Sequence, residues 1–365
     1  MQGSYQRDKP FFNAFETFFV VTVSQAFGFE ILRKSGKNWR DFDGLPAPSF
    51  RLISTPDMAQ FPDEQTKSGS FKRQEDAFRD WVRHDGSTAY KPEAGRYHLY
   101  VSFACPWAHR TIIFRKLKGL EGTIGMTVVD PVRDERGWAF REGPGHSEDP
   151  INGFKFLSDA YFATDPNYHG RVTVPVLWDT KTKRIVSNSD DDLLRMFNSE
   201  FADFATNNYD FVPPDLREQI DALNKTIYER VNNGVYLAGF ATRQKPYERA
   251  ATRLFQTLDE LDARLGNGRY LFGDRMTETD WRFFVTLIRF DAVYYGHFKC
   301  NLRRIVDYPN LWPYLRDLYQ HDDVGSTVNF DHIKRHYYMT HEHINPTRIV
   351  PIGPALDLTA PHGRG

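Results

Sequence analysis

The sequence predicts an α/β layer followed by an all-helical bundle, on three observations. Between residues 95 and 200, short β-branched and aromatic runs are interleaved with helical ones. A linker rich in Asn, Asp and Pro, Ser199 to Pro214, then interrupts the pattern. Beyond it the apolar residues recur at spacings of three and four, which is the period of a helix.

The elements can be justified in order. His98 to Phe103 (HLYVSF) reads as a strand. Cys105-Pro106-Trp107-Ala108 follows, and Thr111 to Lys118 continues as an amphipathic helix stopped by Gly119. Thr127 to Pro131 is a second strand. Arg171 to Trp178 (RVTVPVLW) reads as a strand entered through Pro175, with Lys181 to Ile185 as its hairpin partner. Asp190 to Phe197 opens a helix with three acids at its positive end. The order β-α-β, then β-β-α, is that of a thioredoxin-like layer, spanning 95–200. In the all-helical domain, 210–345, Leu216, Ile220, Leu223, Ile227 and Val231 line one helix. Pro246 to Leu265 forms the next, stopped by Gly266 and Gly268. A third starts at Thr277-Glu278-Thr279-Asp280, where Asp280 can reach back as a capping-box acid, and a fourth runs from Asn310 to Gln320. Residues 346–365 form a tail. Residues 1–94 form an N-terminal extension and arm, within which Lys72 to His84 is expected to be a short helix with Phe78, Trp81 and Val82 on one face.

Composition narrows the function. A length of 365 residues suits about two domains. The balance of 47 basic against 48 acidic residues argues against a nucleic-acid partner, which normally demands a basic excess. An aromatic content of 15% suits a pocket for flat substrates as well as a core. Two cysteines make no disulfide framework, so a reducing, cytoplasmic setting is expected. The organellar alternative rests on the mild basic bias of Arg7, Lys9, Arg33, Lys34 and Lys37. The apolar segment Phe11 to Leu32 is broken by Glu16 and Glu30 and falls short of a membrane span, so no membrane role is expected. Gly143-Pro144-Gly145 lacks the Lys-Ser/Thr of a phosphate loop. His332, His336, His341 and His343 come without an HExxH motif or cysteine pair, so they read as structural histidines and no metal is expected.

Cys105 carries the chemistry. It stands between a strand and a helix, with Pro106 at the first helical position. The free N–H groups and dipole of that helix should lower its pKa and make the sulfur nucleophilic. Arg110 is expected to add positive potential. Three residues on stands Ala108, so no second thiol can resolve an internal disulfide. That leaves monothiol chemistry with an external thiol. The alternative is an inert buried cysteine, the role expected of Cys300.

The segments SFACPWAHR, DPVRDERGWAF, RVTVPVLWD, LIRFDAVYYGHFKCNLRRI, NFDHIKRHYY and INPTRIVPIGP resemble the glutathionyl-hydroquinone reductases, the Xi class of glutathione transferases. The similarity covers about residues 70 to 355. It implies Cys105 as nucleophile and Trp138 packing on glutathione. It implies a cis Pro175, with Val174 offering its backbone to the cysteinyl part of glutathione and Arg171, Val172 and Thr173 alongside. Where the family usually has Glu-Ser, this chain has Ser189-Asp190, followed by Asp191 and Asp192. A hydroxyl, free N–H groups and an acid remain to meet the γ-glutamyl end; the alternative is a helix cap. Tyr236, Tyr294 and Tyr337 match the family's tyrosines, with Tyr295 and Tyr338 as adjacent alternatives. The first implies a proton donor and acceptor, and the others a lowering of the thiol pKa.

The resemblance implies glutathione-dependent reduction of glutathionyl-hydroquinones through a Cys105-glutathione mixed disulfide, with glutathione as co-substrate and no bound cofactor. Two half-reactions at one sulfur imply ping-pong kinetics. A homodimer is implied as well. The competing readings are an omega-type thioltransferase or dehydroascorbate reductase, and a non-catalytic transferase-fold binding module.

Overall fold

The computed structural model describes Thr66 and residues 68–365; the apolar segment Phe11 to Leu32 and the basic residues Arg7, Lys9, Arg33, Lys34 and Lys37 lie outside the described residues. A mixed sheet in the order β2-β1-β3-β4 organises the first half: β1 (Tyr97–Val101), β2 (Gly125–Val128), β3 (Val176–Asp179) and β4 (Arg184–Ser187). β1 runs parallel to β2 and antiparallel to β3, which pairs antiparallel with β4. A parallel neighbour requires a crossover, and α1 (Pro106–Leu117) supplies it. All five residues of β1 are buried, the pattern of a central strand covered on both faces. Helices α2 (Leu157–Thr164) and α3 (Asp190–Arg195) complete this layer.

The helical domain comprises α4 (Arg217–Ile227), α5 (Gly234–Gly239), α6 (Gln244–Leu265), α7 (Glu278–Arg289), α8 (Leu311–Gln320) and α9 (Phe330–Thr340). Three helices end in a π-turn: α3 at Met196–Glu200, α4 at Tyr228–Asn232 and α7 at Phe290–Tyr294. The expected capping box is present. The Asp280 carboxylate accepts from the Thr277 N–H at 2.8 Å and from the Leu271 N–H at 3.0 Å, and Tyr314 donates to it from α8 at 2.7 Å. α7 is buried along its whole length, so it forms the domain's axis. No helix among the described residues is long and apolar enough to cross a membrane.

Two expectations need correction. Lys72 to His84 is not a helix. Its backbone is taken by the edge of β4: the Asp80 N–H donates to Val186 O, the Asn188 N–H donates to Phe78 O, and Arg79 bridges antiparallel to Ser187. A short segment with few apolar residues cannot meet the cost of helix nucleation, whereas an open strand edge offers partners at once. The strand drawn from Arg171 begins only at Val176, because a proline cannot donate to a ladder and Arg171 to Val174 stay unpaired with the sheet.

Candidate active site

Cys105 is the N-cap residue of α1, in extended backbone (φ −75°, ψ 122°), with Pro106 beside it. The Trp107 and Ala108 N–H groups at the start of α1 favour the thiolate, although the side chain makes no capping hydrogen bond. Across from it lies Val174, whose bond to Pro175 is cis and whose carbonyl accepts from the Cys105 thiol at 3.7 Å. The thiol itself departs from expectation. Burial pushes it up, outweighing the helix N–H groups and the Arg289 guanidinium that pull it down, while Asp190 pushes it up further. A turn that presents N–H groups lowers a thiol pKa only where solvent or positive charge also offsets the desolvation of the anion.

The segment before Pro175 is held from outside the sheet. Tyr161 donates to Thr173 O at 2.9 Å, Asn188 Nδ2 donates to Thr173 Oγ1 at 3.1 Å, and Tyr168 donates to Arg171 O at 2.6 Å. Asn188 Oδ1 accepts from the Phe78 N–H at 2.8 Å, so the arm, the end of β4 and the Val174 loop form one unit. Val172 is half-buried against the core.

At the start of α3, Ser189 caps the helix, its hydroxyl accepting from the Asp192 N–H at 3.4 Å. The three acids that follow are each matched to an arginine. Asp190 pairs with Arg110 at 2.7 Å, Asp191 with Arg282, and Asp192 with Arg79 through two bonds of 2.7 Å. Arg110 therefore spends its charge on Asp190, and the positive potential expected of it at Cys105 comes instead from Arg289.

The three tyrosines expected from α5, the α7 π-turn and α9 converge. Tyr337 lies between the other two, 2.5 Å from Tyr236 and 3.0 Å from Tyr294, hydroxyl to hydroxyl. Tyr338 stays outside this chain and donates to Ala292 O at 3.3 Å. Burial pushes all three phenols up, so they stay protonated at neutral pH. Of the three, Tyr236 is the one on which charge at Cys105 acts: beyond burial, Cys105 pushes it up and Arg73 pulls it down. Arg73 of the arm lies 4.8 Å over the Trp107 ring and 5.0 Å over Tyr236, a cation that sequence reasoning missed.

Trp138 is buried between the sheet layer and α9, stacked on His336 at 5.0 Å with the Arg133 guanidinium at 4.8 Å. Two histidines of α9 hold backbone carbonyls: His332 bonds Pro144 O and His336 bonds Pro131 O, both at 2.7 Å. Among the described residues, no group of three or more His, Cys, Asp or Glu side chains is arranged to hold a metal.

A thioredoxin-like layer with one N-capping cysteine, a cis proline opposite it and an appended helical domain defines a glutathione transferase of the cysteine type. The family models for the glutathione S-transferase N-terminal and C-terminal domains match residues 104–199 and 244–317. The glutathionyl-hydroquinone reductase YqjG of Escherichia coli is 50% identical over 309 residues, which is 83% of this chain and 94% of that one. The glutathione-bound structure of YqjG superposes with a TM-score of 0.77 over 79% of this chain and 96% of that one. A Xi-class transferase from Natrialba magadii superposes at 0.78, with 51% identity, over 79% of this chain and 88% of that one. The chain belongs to the glutathionyl-hydroquinone reductases, the Xi class of glutathione transferases.

Proposed function

We infer that the protein is a glutathione-dependent reductase of glutathionyl-hydroquinones, working through Cys105 alone. One observation carries the mechanism: a single thiol at the N-terminus of α1, with Ala108 where a second would stand, faces the Val174 backbone and a buried chain of protonated tyrosines.

Val174 receives the cysteinyl backbone of glutathione across Pro175, with Arg171, Val172 and Thr173 forming the rim. Trp138 packs on the peptide, and Ser189-Asp190 with the first N–H groups of α3 meet the γ-glutamyl end. The Cys105 thiolate attacks the glutathionyl sulfur. A sulfur-sulfur bond forms as the bond from sulfur to the ring carbon breaks, and the ring carbon takes the electron pair. Tyr236 donates the proton that completes the hydroquinone, and it is reprotonated through Tyr337 and Tyr294. A second glutathione thiolate attacks the mixed disulfide, releases oxidised glutathione and restores the Cys105 thiolate; its proton balances the one delivered to the ring. Thiol chemistry of this kind suits a reducing compartment, and resemblance to the family supports reading the protein as a homodimer.

The test is release of hydroquinone from glutathionyl-menadiol with glutathione, comparing wild type with Cys105→Ser. Turnover in the wild type and its loss in the variant are expected. Equal turnover in both would remove Cys105 from the mechanism.

A further inference from the structure

Arg289, the last residue of α7, is wholly buried. Its Nε donates to Ala104 O at 3.0 Å and its Nη2 to Phe103 O at 2.8 Å, the two residues immediately before the nucleophile. Its Nη1 donates to Val285 O at 2.9 Å and lies 3.0 Å from His109 Nδ1. Among the described residues no carboxylate pairs with it, although Arg110 and Arg282, the other buried arginines of this region, both have acid partners.

His109 does not neutralise it. The Thr327 hydroxyl donates to Val324 O at 2.6 Å, so it must accept from His109 Nε2 at 2.7 Å. That fixes the Nε2–H tautomer and leaves Nδ1 as a lone-pair acceptor for Arg289. Burial and the Arg289 charge hold this imidazole neutral. A buried cation without a counter-ion is costly, and such a group persists where a partner charge forms during function.

We propose that Arg289 is the positioning residue of the nucleophile: its donors fix the Phe103–Ala104 turn that aims Cys105, and the Cys105 thiolate is the counter-ion of its buried charge. The inference rests on Cys105 being the nucleophile. Of the charged groups that act on the Cys105 sulfur, Asp190 from α3 opposes the thiolate and Arg289 from α7 favours it, with the Tyr236 phenol of α5 nearby. Arg289 also acts on Tyr294, Tyr337 and His336, all of them neutral.

The experiment is the pH dependence of Cys105 alkylation by iodoacetamide, read by mass at that residue, in wild type, Arg289→Gln and Arg289→Lys, beside the pH profile of kcat. Arg289→Gln should raise the Cys105 pKa by about one unit or more, with tenfold less thiolate at neutral pH and turnover that recovers towards alkaline pH. Arg289→Lys keeps the charge and loses the fork, so it should hold the pKa near wild type while kcat falls. A folded Arg289→Gln protein with an unmoved alkylation profile overturns the proposal. If Arg289→Gln does not fold, an Arg289→Lys protein with unchanged kcat overturns it. Alkylation is read without turnover, so a failed reductase assay and a failed role for Arg289 are distinguishable outcomes.

Discussion

The guanidinium of Arg110 donates to the carboxylate of Asp190 at 2.7 Å and, from its other nitrogen, to Asn232 Oδ1 at 2.8 Å. Arg110 is wholly buried and Asp190 nearly so. Asp190 is therefore part of an internal ion pair at the start of α3. Removing one partner of such a pair leaves the other charge buried and unanswered. Asp190→Asn should lower unfolding stability by about 3 kcal/mol in urea melts, whereas Ser189→Ala should cost about 1 kcal/mol as a lost cap. Equal, small losses for the two variants would mean that Asp190 is free to serve glutathione alone.

The tyrosine chain assigns unequal roles to its members. Tyr236 is the member on which charge at Cys105 acts, while Tyr337 sits between the other two hydroxyls. Tyr236→Phe removes the proton donor itself and should lower the rate of the first half-reaction about a hundredfold. Tyr337→Phe leaves Tyr236 in place without its partner and should cost about tenfold. Single-turnover release of hydroquinone measures both. A larger loss in Tyr337→Phe would reverse the assignment.

What was legible in the sequence is what short-range chemistry encodes. Cys105-Pro106 marked a helix start, Thr277-x-x-Asp280 marked another, and Pro175 marked the strand entry. The arm was not legible, because Phe78 and Asp80 bond to Asn188 and Val186, more than a hundred residues away. The six-residue helix α5 carries too few turns for a clear apolar period, and π-turns follow from packing. The pairing of Asp190, Asp191 and Asp192 with three arginines is likewise long-range. Arg289 left one signal: a charge inside the apolar run Val285 to Phe290, where a solvated arginine has no place.

Asp280 ties three elements together. Its carboxylate accepts from the Leu271 and Thr277 N–H groups, from the Thr277 hydroxyl at 3.1 Å and from Tyr314 of α8. Asp280→Ala would strand several buried donors at the start of the domain's central helix. A loss of about 3–5 kcal/mol is expected by chemical denaturation, with Asp280→Asn intermediate because it keeps one acceptor. A loss under 1 kcal/mol would show that water replaces the carboxylate there.

Acid should unfold this protein through its histidines. Burial lowers His98 to about 4, His297 to about 4 and His336 to about 3, and it holds His341 far below its ordinary value. A histidine kept neutral in the fold takes up its proton only on unfolding, once pH drops below about 6.5. Stability is therefore intact above about pH 7 and falls as pH drops from there towards 4, at up to about 1.4 kcal/mol per histidine per pH unit. His98 contributes by a path that can be isolated, since its ring bonds the Thr127 hydroxyl at 2.7 Å between β1 and β2 and takes no part in the Tyr236-Tyr337-Tyr294 chain. Thermal melts at pH 7.5, 6.5 and 5.5 should show a steepening fall in Tm. His98→Gln should flatten that fall while lowering Tm at pH 7.5. A Tm that stays constant from pH 7.5 to 5.5 would mean that these histidines are protonated in the folded protein.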